Sequence, residues 1–128
     1  MRKIYLAASF SRKKELSKYR LDILDSGHIC TATWLFEEAA SDTDPIVDDA
    51  YRMRCAKNDM LDVWRSNMLI SFTGCGGSGG RHVELGLALS RGIKCLAVGP
   101  REHIFHYLDR VTFFDDWSAC LQHLKENR

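Results

Sequence analysis

Five short runs rich in β-branched and apolar residues punctuate the chain: KIYLAAS (3–9), HICTAT (28–33), MLISF (68–72), KCLAV (94–98) and VTFF (111–114). The stretches between them carry helical spacing. Leu16, Tyr19, Ile23 and Leu24 fall on one face of a helix over residues 11–26, with Ser11 placed to cap its start and Gly27 to end it. Asp44-Pro45 opens a second helix, which runs to Arg65 on a stripe of Ala50, Met53, Ala56, Met60 and Val63. A third spans His82 to Arg91 and stops at Gly92. A fourth follows Asp115, with Trp117, Cys120, Leu121 and Leu124 facing inward. Strands alternating with helices require a parallel sheet covered on both faces. Ligands of such sheets bind beyond the carboxyl ends of the strands. That rim is formed by Ala8-Ser9, Thr33-Trp34, Thr73 to Arg81, and Gly99 to His106.

A chain of 128 residues, 45% apolar and 27% charged, is expected to form one globular domain over 1–128. The expected architecture is a Rossmann- or flavodoxin-like three-layer α/β sandwich on a five-stranded, mainly parallel sheet. A formal charge of +1 gives no basic field for a nucleic-acid polymer. No apolar run is long enough for a membrane span, and MRKIYLAASF is too short and lacks the processing site of a signal peptide. Cys30, Cys55, Cys75, Cys95 and Cys120 are odd in number and form no CxxC pair, so reduced cytoplasmic thiols are expected. Cys75 lies within a glycine-rich loop and is a possible nucleophile, although no neighbour in sequence lowers its pKa. His103 and His106 have HxxH spacing without an accompanying cysteine or acidic ligand set. No metal site is expected there; surface or interface roles are favoured over direct ligand contact.

The loop is TGCGGSGGRHVELG (73–86). Gly76, Gly77, Gly79 and Gly80 let backbone N–H groups approach a ligand, a helix points its positive end at the same place, and Ser78 and Arg81 add donors. Together these form an anion cradle. The alternative is a tight strand-to-helix turn with no ligand, since the spacing is neither a dinucleotide fingerprint nor a Walker loop. Glu84 then falls near the first turn of the helix, either complementing its dipole, worth ~0.3–1 kcal/mol, or serving as a reactive carboxylate on the rim. Asp59 and Asp62 stand one turn apart near the C-terminal end of the second helix, where the dipole disfavours acids and a solvated face is the alternative. Two carboxylates beside a sugar are the apparatus of a retaining glycosidase.

KIYLAASFS, NDMLDVWRSNMLISF and GGSGGRHVELGLALSRGIKCLAVGP together resemble the nucleoside 2-deoxyribosyltransferase superfamily. The similarity covers the first strand and residues 58–100 well, and 34–57 and the last quarter poorly. The family includes deoxyribosyltransferases, which exchange bases, and deoxynucleoside 5′-monophosphate N-glycosidases, which hydrolyse them. By this resemblance Glu84 is the nucleophile, Tyr5 the phenol that orients it, and Asp59 the carboxylate that assists the base, with Asp62 the second choice. Ser9 and Ser78 would hold the 5′-phosphate, with Gly79, Gly80 and Arg81 in the same cradle. The chain departs from the family at Asn67, where an aspartate is usual, and in placing Arg81-His82 before the glutamate.

The resemblance implies a homodimer or higher homo-oligomer with composite sites, the segment GPREHIFHYL (99–108) reaching a neighbouring subunit. His82, His103 and His106 are then possible substrate contacts. Trp34 is either a base-stacking platform or a large core aromatic. The implied substrate is a deoxynucleotide or deoxynucleoside, with no metal or organic cofactor. Hydrolysis of a 2′-deoxynucleoside 5′-monophosphate is the leading expectation. Base exchange on nucleosides comes second, and a domain that senses or sequesters a nucleotide derivative without turnover third.

Overall fold

The computed structural model describes residues 1–38, 46–74 and 79–127. The strands are β1 (Lys3–Ala7), β2 (Ile29–Cys30), β3 (Met68–Phe72), β4 (Lys94–Val98) and β5 (Val111–Phe114). The helices are α1 (Lys13–Asp25), α2 (Asp49–Arg65), α3 (Gly80–Ser90) and α4 (Trp117–Glu126). All four strand pairings are parallel and the order is β2-β1-β3-β4-β5. This is the flavodoxin-like order, whose connections reverse direction between β1 and β3. Helices α2 and α3 pack together on one face, α1 and α4 on the other. The expected three-layer sandwich is what forms, with every strand pair parallel.

The central strands are buried on both faces: Ile4 to Ala7, Met68 to Phe72 and Cys95 to Val98 are all core residues, as continuous apolar runs demand. Tyr19, Phe72 and Trp117 stack beneath the α1/α4 layer, with centroids 4.7 to 5.9 Å apart. Asn67, the departure before β3, joins the ladder instead. Its Oδ1 accepts the Lys3 N–H at 2.9 Å and its own N–H bonds the Lys3 carbonyl at 2.8 Å.

Several boundaries differ from expectation. A 3₁₀ turn over Phe10–Arg12 precedes α1, so Ser11 lies inside a turn and does not cap the helix. Strand β2 is two residues long. Beyond it, Asp62 takes the Thr33 N–H at 2.9 Å, and Thr33–Phe36 forms a second 3₁₀ turn. Asp44-Pro45 lies outside the described residues, and α2 begins at Asp49 with the Asp48 carboxylate capping the Tyr51 N–H. The α2 face is also rotated. Cys55, Asp62 and Val63 are buried, whereas Met53 is exposed. Asp116, one residue after the expected Asp115, caps α4 through the Ala119 N–H at 2.9 Å. Cys30, Cys55, Cys95 and Cys120 are free thiols, and burial raises the pKa of each. Cys75 lies outside the described residues.

Candidate active site

Tyr5 is the midpoint of β1, with its ring wholly in the core and its hydroxyl pointing toward α3. That hydroxyl donates a hydrogen bond to Glu84 Oε2. Burial, then the charges of Glu84 and Asp59, push the phenol well above its ordinary pKa, so Tyr5 stays a donor throughout the physiological range. Glu84 itself stands two residues deeper in its helix than the sequence suggested. Helix α3 starts at Gly80, two residues earlier than expected, and its first turn holds no acid. A helix dipole fades beyond the first turn. The phenol, rather than the helix end, therefore orients this carboxylate.

Asp59 and Glu84 line the same cavity of about 240 Å³, between α2 and α3. Arg52, Ala56, Asp59 and Met60 come from α2, and Gly80, Val83, Glu84 and Leu87 from α3. Each set follows the three-, four- and seven-residue offsets that place residues on one helix face. The geometry also separates the two aspartates. Asp62 is buried against the end of β2, where it accepts from Thr33 and pairs with Arg65. Its bonds are those of a structural tie, and Asp59 is the acid that faces the cavity. Arg52 went unnoticed in the sequence, although its seven-residue spacing from Asp59 is a signal that they share a face.

The anion cradle differs more. Arg81 is only 6% exposed, and its Nη2 bonds Glu102 Oε1 at 2.8 Å. The other oxygen of Glu102 receives the Gly74 N–H at 3.4 Å, a long contact. Glu102, which sequence reasoning did not single out, thus occupies donors that had been expected to face a ligand. Arg81 bonding, together with the Gly74 N–H, overcomes the opposing effect of burial and holds its carboxyl below the usual range. Gly79 caps α3 in ordinary helical geometry, and Gly80 starts the helix. Ser78, Gly76 and Gly77 lie outside the described residues. Two glycines after the central strands β3 and β4 have positive φ. Gly74 has φ +93°, and Gly99 has φ +115°, where a Cβ would stand 2.9 Å from the Thr73 carbonyl oxygen. Ser9 closes β1 on the same rim and begins the 3₁₀ turn there.

Trp34 is a core residue. Its ring is 5% exposed and its indole N–H bonds the Leu6 carbonyl at 2.8 Å, so it offers no open face for a base. His106 is fully buried, against expectation, because its ring packs edge-on against Phe113 and its Nδ1 accepts the Glu102 N–H at 2.9 Å. His82 and His103 lie beside it, not in the cavity of the two acids. They line a neighbouring apolar groove of about 450 Å³ with Val83, Leu85, Gly86, Leu89, Ile104 and Phe105. A three-histidine group thus accompanies the HxxH spacing, which had seemed to lack further ligands.

Comparison with solved structures decides which known architecture this is. A 2-deoxyribosyltransferase from Bacillus psychrosaccharolyticus superposes with a TM-score of 0.71 at 22% identity, over 93% of this chain and 90% of that one. The chain has the deoxyribosyltransferase fold. A CMP N-glycosidase from Clostridium botulinum gives a TM-score of 0.66 at 20% identity, over 97% of this chain and 98% of its own. No family model matches the sequence, and no curated protein matches it. The likeness noted in the strand-one and Gly-rich segments therefore extends to the whole deoxyribosyltransferase fold.

Proposed function

We propose that the chain cleaves the N-glycosidic bond of a 2′-deoxynucleoside 5′-monophosphate, with Glu84 as nucleophile. The observation that carries this reading is the Tyr5 hydroxyl bonded to Glu84 Oε2, with Asp59 on the same cavity. With Tyr5 orienting the carboxylate through Oε2, Glu84 attacks C1′. As the C1′–N bond breaks, its electron pair passes to the base, and Asp59 supports protonation of the departing nitrogen. Water then attacks C1′ of the deoxyribosyl ester, and Glu84 leaves as a carboxylate. A sugar without a 2′-hydroxyl reaches the oxocarbenium-like state more easily, which suits a site with one oriented acid.

The fold supports this reading, since the two similar structures are a 2-deoxyribosyltransferase and a CMP N-glycosidase. One observation favours base exchange on free nucleosides as a second reading. Arg81, the strongest candidate for a phosphate, already has Glu102 as its partner. We further propose a cytoplasmic homodimer or higher homo-oligomer that completes its sites across subunits. The deciding experiment incubates the protein with each deoxynucleoside monophosphate, and with each matching nucleoside, and measures free base. Release from monophosphates that is abolished in Glu84→Gln supports the hydrolase. Equal turnover of nucleosides, dependent on an added acceptor base, moves the assignment to transfer. Glu84→Gln retaining more than about a tenth of the rate removes Glu84 as nucleophile, because losing a nucleophile costs orders of magnitude.

A further inference from the structure

Three imidazoles meet where α3 begins and the 3₁₀ turn Ile104–Tyr107 follows β4. One nitrogen from each of His82, His103 and His106 lies within 4.8 Å of the other two. His82 Nδ1 and His103 Nε2 are 3.1 Å apart. Two nitrogens on one ion, each bound at about 2.0–2.1 Å, stand roughly 3.0–3.4 Å apart. Two further nitrogens, His103 Nδ1 and His106 Nε2, are buried without a hydrogen-bond partner. Buried polar atoms without partners are rare in folded chains and point to an unfilled role.

We propose that His82, His103 and His106 form a site for a divalent transition metal of the zinc class, with a remaining position open to solvent. An all-imidazole set suits zinc, nickel or copper and is a poor match for magnesium or calcium. The groove bordered by His82 and His103 provides the way in. Arg81 does not oppose the ion with a bare charge, since Glu102 pairs it at 2.8 Å.

Two features set the cost. His103 and His106 stack with centroids 3.8 Å apart and planes 26° apart, so their in-plane lone pairs do not yet converge. His103 is the partly exposed ring of that pair, and it is the one that turns. His106 gives up a hydrogen bond whichever nitrogen it uses. Coordination at Nδ1 takes the lone pair that accepts the Glu102 N–H, and coordination at Nε2 moves the ring proton onto Nδ1, facing that same amide. The hydrogen bond between His82 Nδ1 and His103 Nε2 is given up as well where the ion takes those two nitrogens. A bound ion would pin the Ile104–Tyr107 turn to the first turn of α3, two residues before Glu84.

The test titrates chelator-treated full-length protein with Co²⁺ and follows the visible absorption, then displaces the cobalt with Zn²⁺. One Co²⁺ per chain is expected, with Zn²⁺ raising the melting temperature by about 10 °C at a hundredfold excess over its Kd. His82→Ala and His103→Ala should each weaken Co²⁺ binding by at least about tenfold, as even outer-shell losses do in established sites. Both side chains are partly exposed, so these variants keep the fold, and circular dichroism verifies that. The absence of stoichiometric Co²⁺ binding at micromolar metal overturns the proposal. So does binding that both substitutions leave unchanged, which would put the ion at other thiols or imidazoles. Neither readout depends on turnover.

Discussion

Tyr5 shows what one residue can do on a buried strand. Its ring fills the core while its hydroxyl reaches the rim, so a single side chain serves packing and orientation together. Tyr5→Phe keeps the packing and deletes the donor. A hydrogen bond to a charged group is worth about 1.5–3 kcal/mol, so the turnover rate should fall roughly 10- to 100-fold with little change in melting temperature. Steady-state kinetics with free-base detection, beside a thermal melt, checks both halves. An unchanged rate would mean that Glu84 needs no phenol. Because the phenol pKa is raised, the folded chain holds this proton more tightly than the unfolded one. Its linkage to stability is therefore lost only above about pH 10, outside any working range. Tyr5, Asp59 and Glu84 stood out in the sequence because each sits within a segment that carries the resemblance, which also put Asp59 ahead of Asp62. Helix spacing alone did not separate the two aspartates, since the tie of Asp62 to Thr33 is made across 29 residues of sequence.

At the scale of elements, the segment after β4 is tied to α3 by Glu102 and the histidines. Pairings across 21 residues, as between Arg81 and Glu102 or His82 and His103, leave no periodic trace in sequence. The alternation of strands and helices was plain, yet the cradle's internal partner was invisible. Glu102→Ala leaves the Arg81 guanidinium buried and unpaired. With Glu102 itself about a quarter exposed, the loss should be about 2–3 kcal/mol, below the range for a fully buried pair. Urea unfolding measures it, and a change under about 0.5 kcal/mol would deny the tie any structural weight. The same region sets acid stability. His106 titrates near pH 4 when folded and near 6.5 when unfolded, so the unfolded chain binds more protons between these values and stability falls as pH drops through that window. His82 acts in the same direction. Glu37, whose carboxyl pKa burial raises, partly offsets the loss. For metal-free protein the His106 contribution is at most about 3 kcal/mol, lost between pH 6.5 and 4. Denaturant melts across this range should show it, and a flat profile would refute it.

For the whole molecule, the described residues that line the candidate site come from α2 and α3 alone. The parallel sheet followed from the spacing of apolar runs, since the central strands are largely apolar and must be covered twice, whereas the strand order did not. What covers the rim does not follow, because one chain's sequence does not name its neighbours. The surface offers a direct lead. Val83, Ile104, Phe105, Tyr107 and Leu108 are all exposed, and the first three border the groove beside Glu84's helix. Exposed apolar side chains gathered in one patch mark interaction surfaces. A second copy of the chain placed there would cover this patch beside the site, so the native protein should sediment as at least a dimer. Phe105→Asp puts a charge where this contact would be dry and should yield monomer with reduced turnover. Phe105 is 58% exposed in the single chain, so the substitution should leave the monomer's own fold intact. Analytical ultracentrifugation with parallel kinetics separates the outcomes. A wild-type chain that is monomeric and fully active ends the composite-site reading. A Phe105→Asp variant that remains dimeric moves the contact to another face.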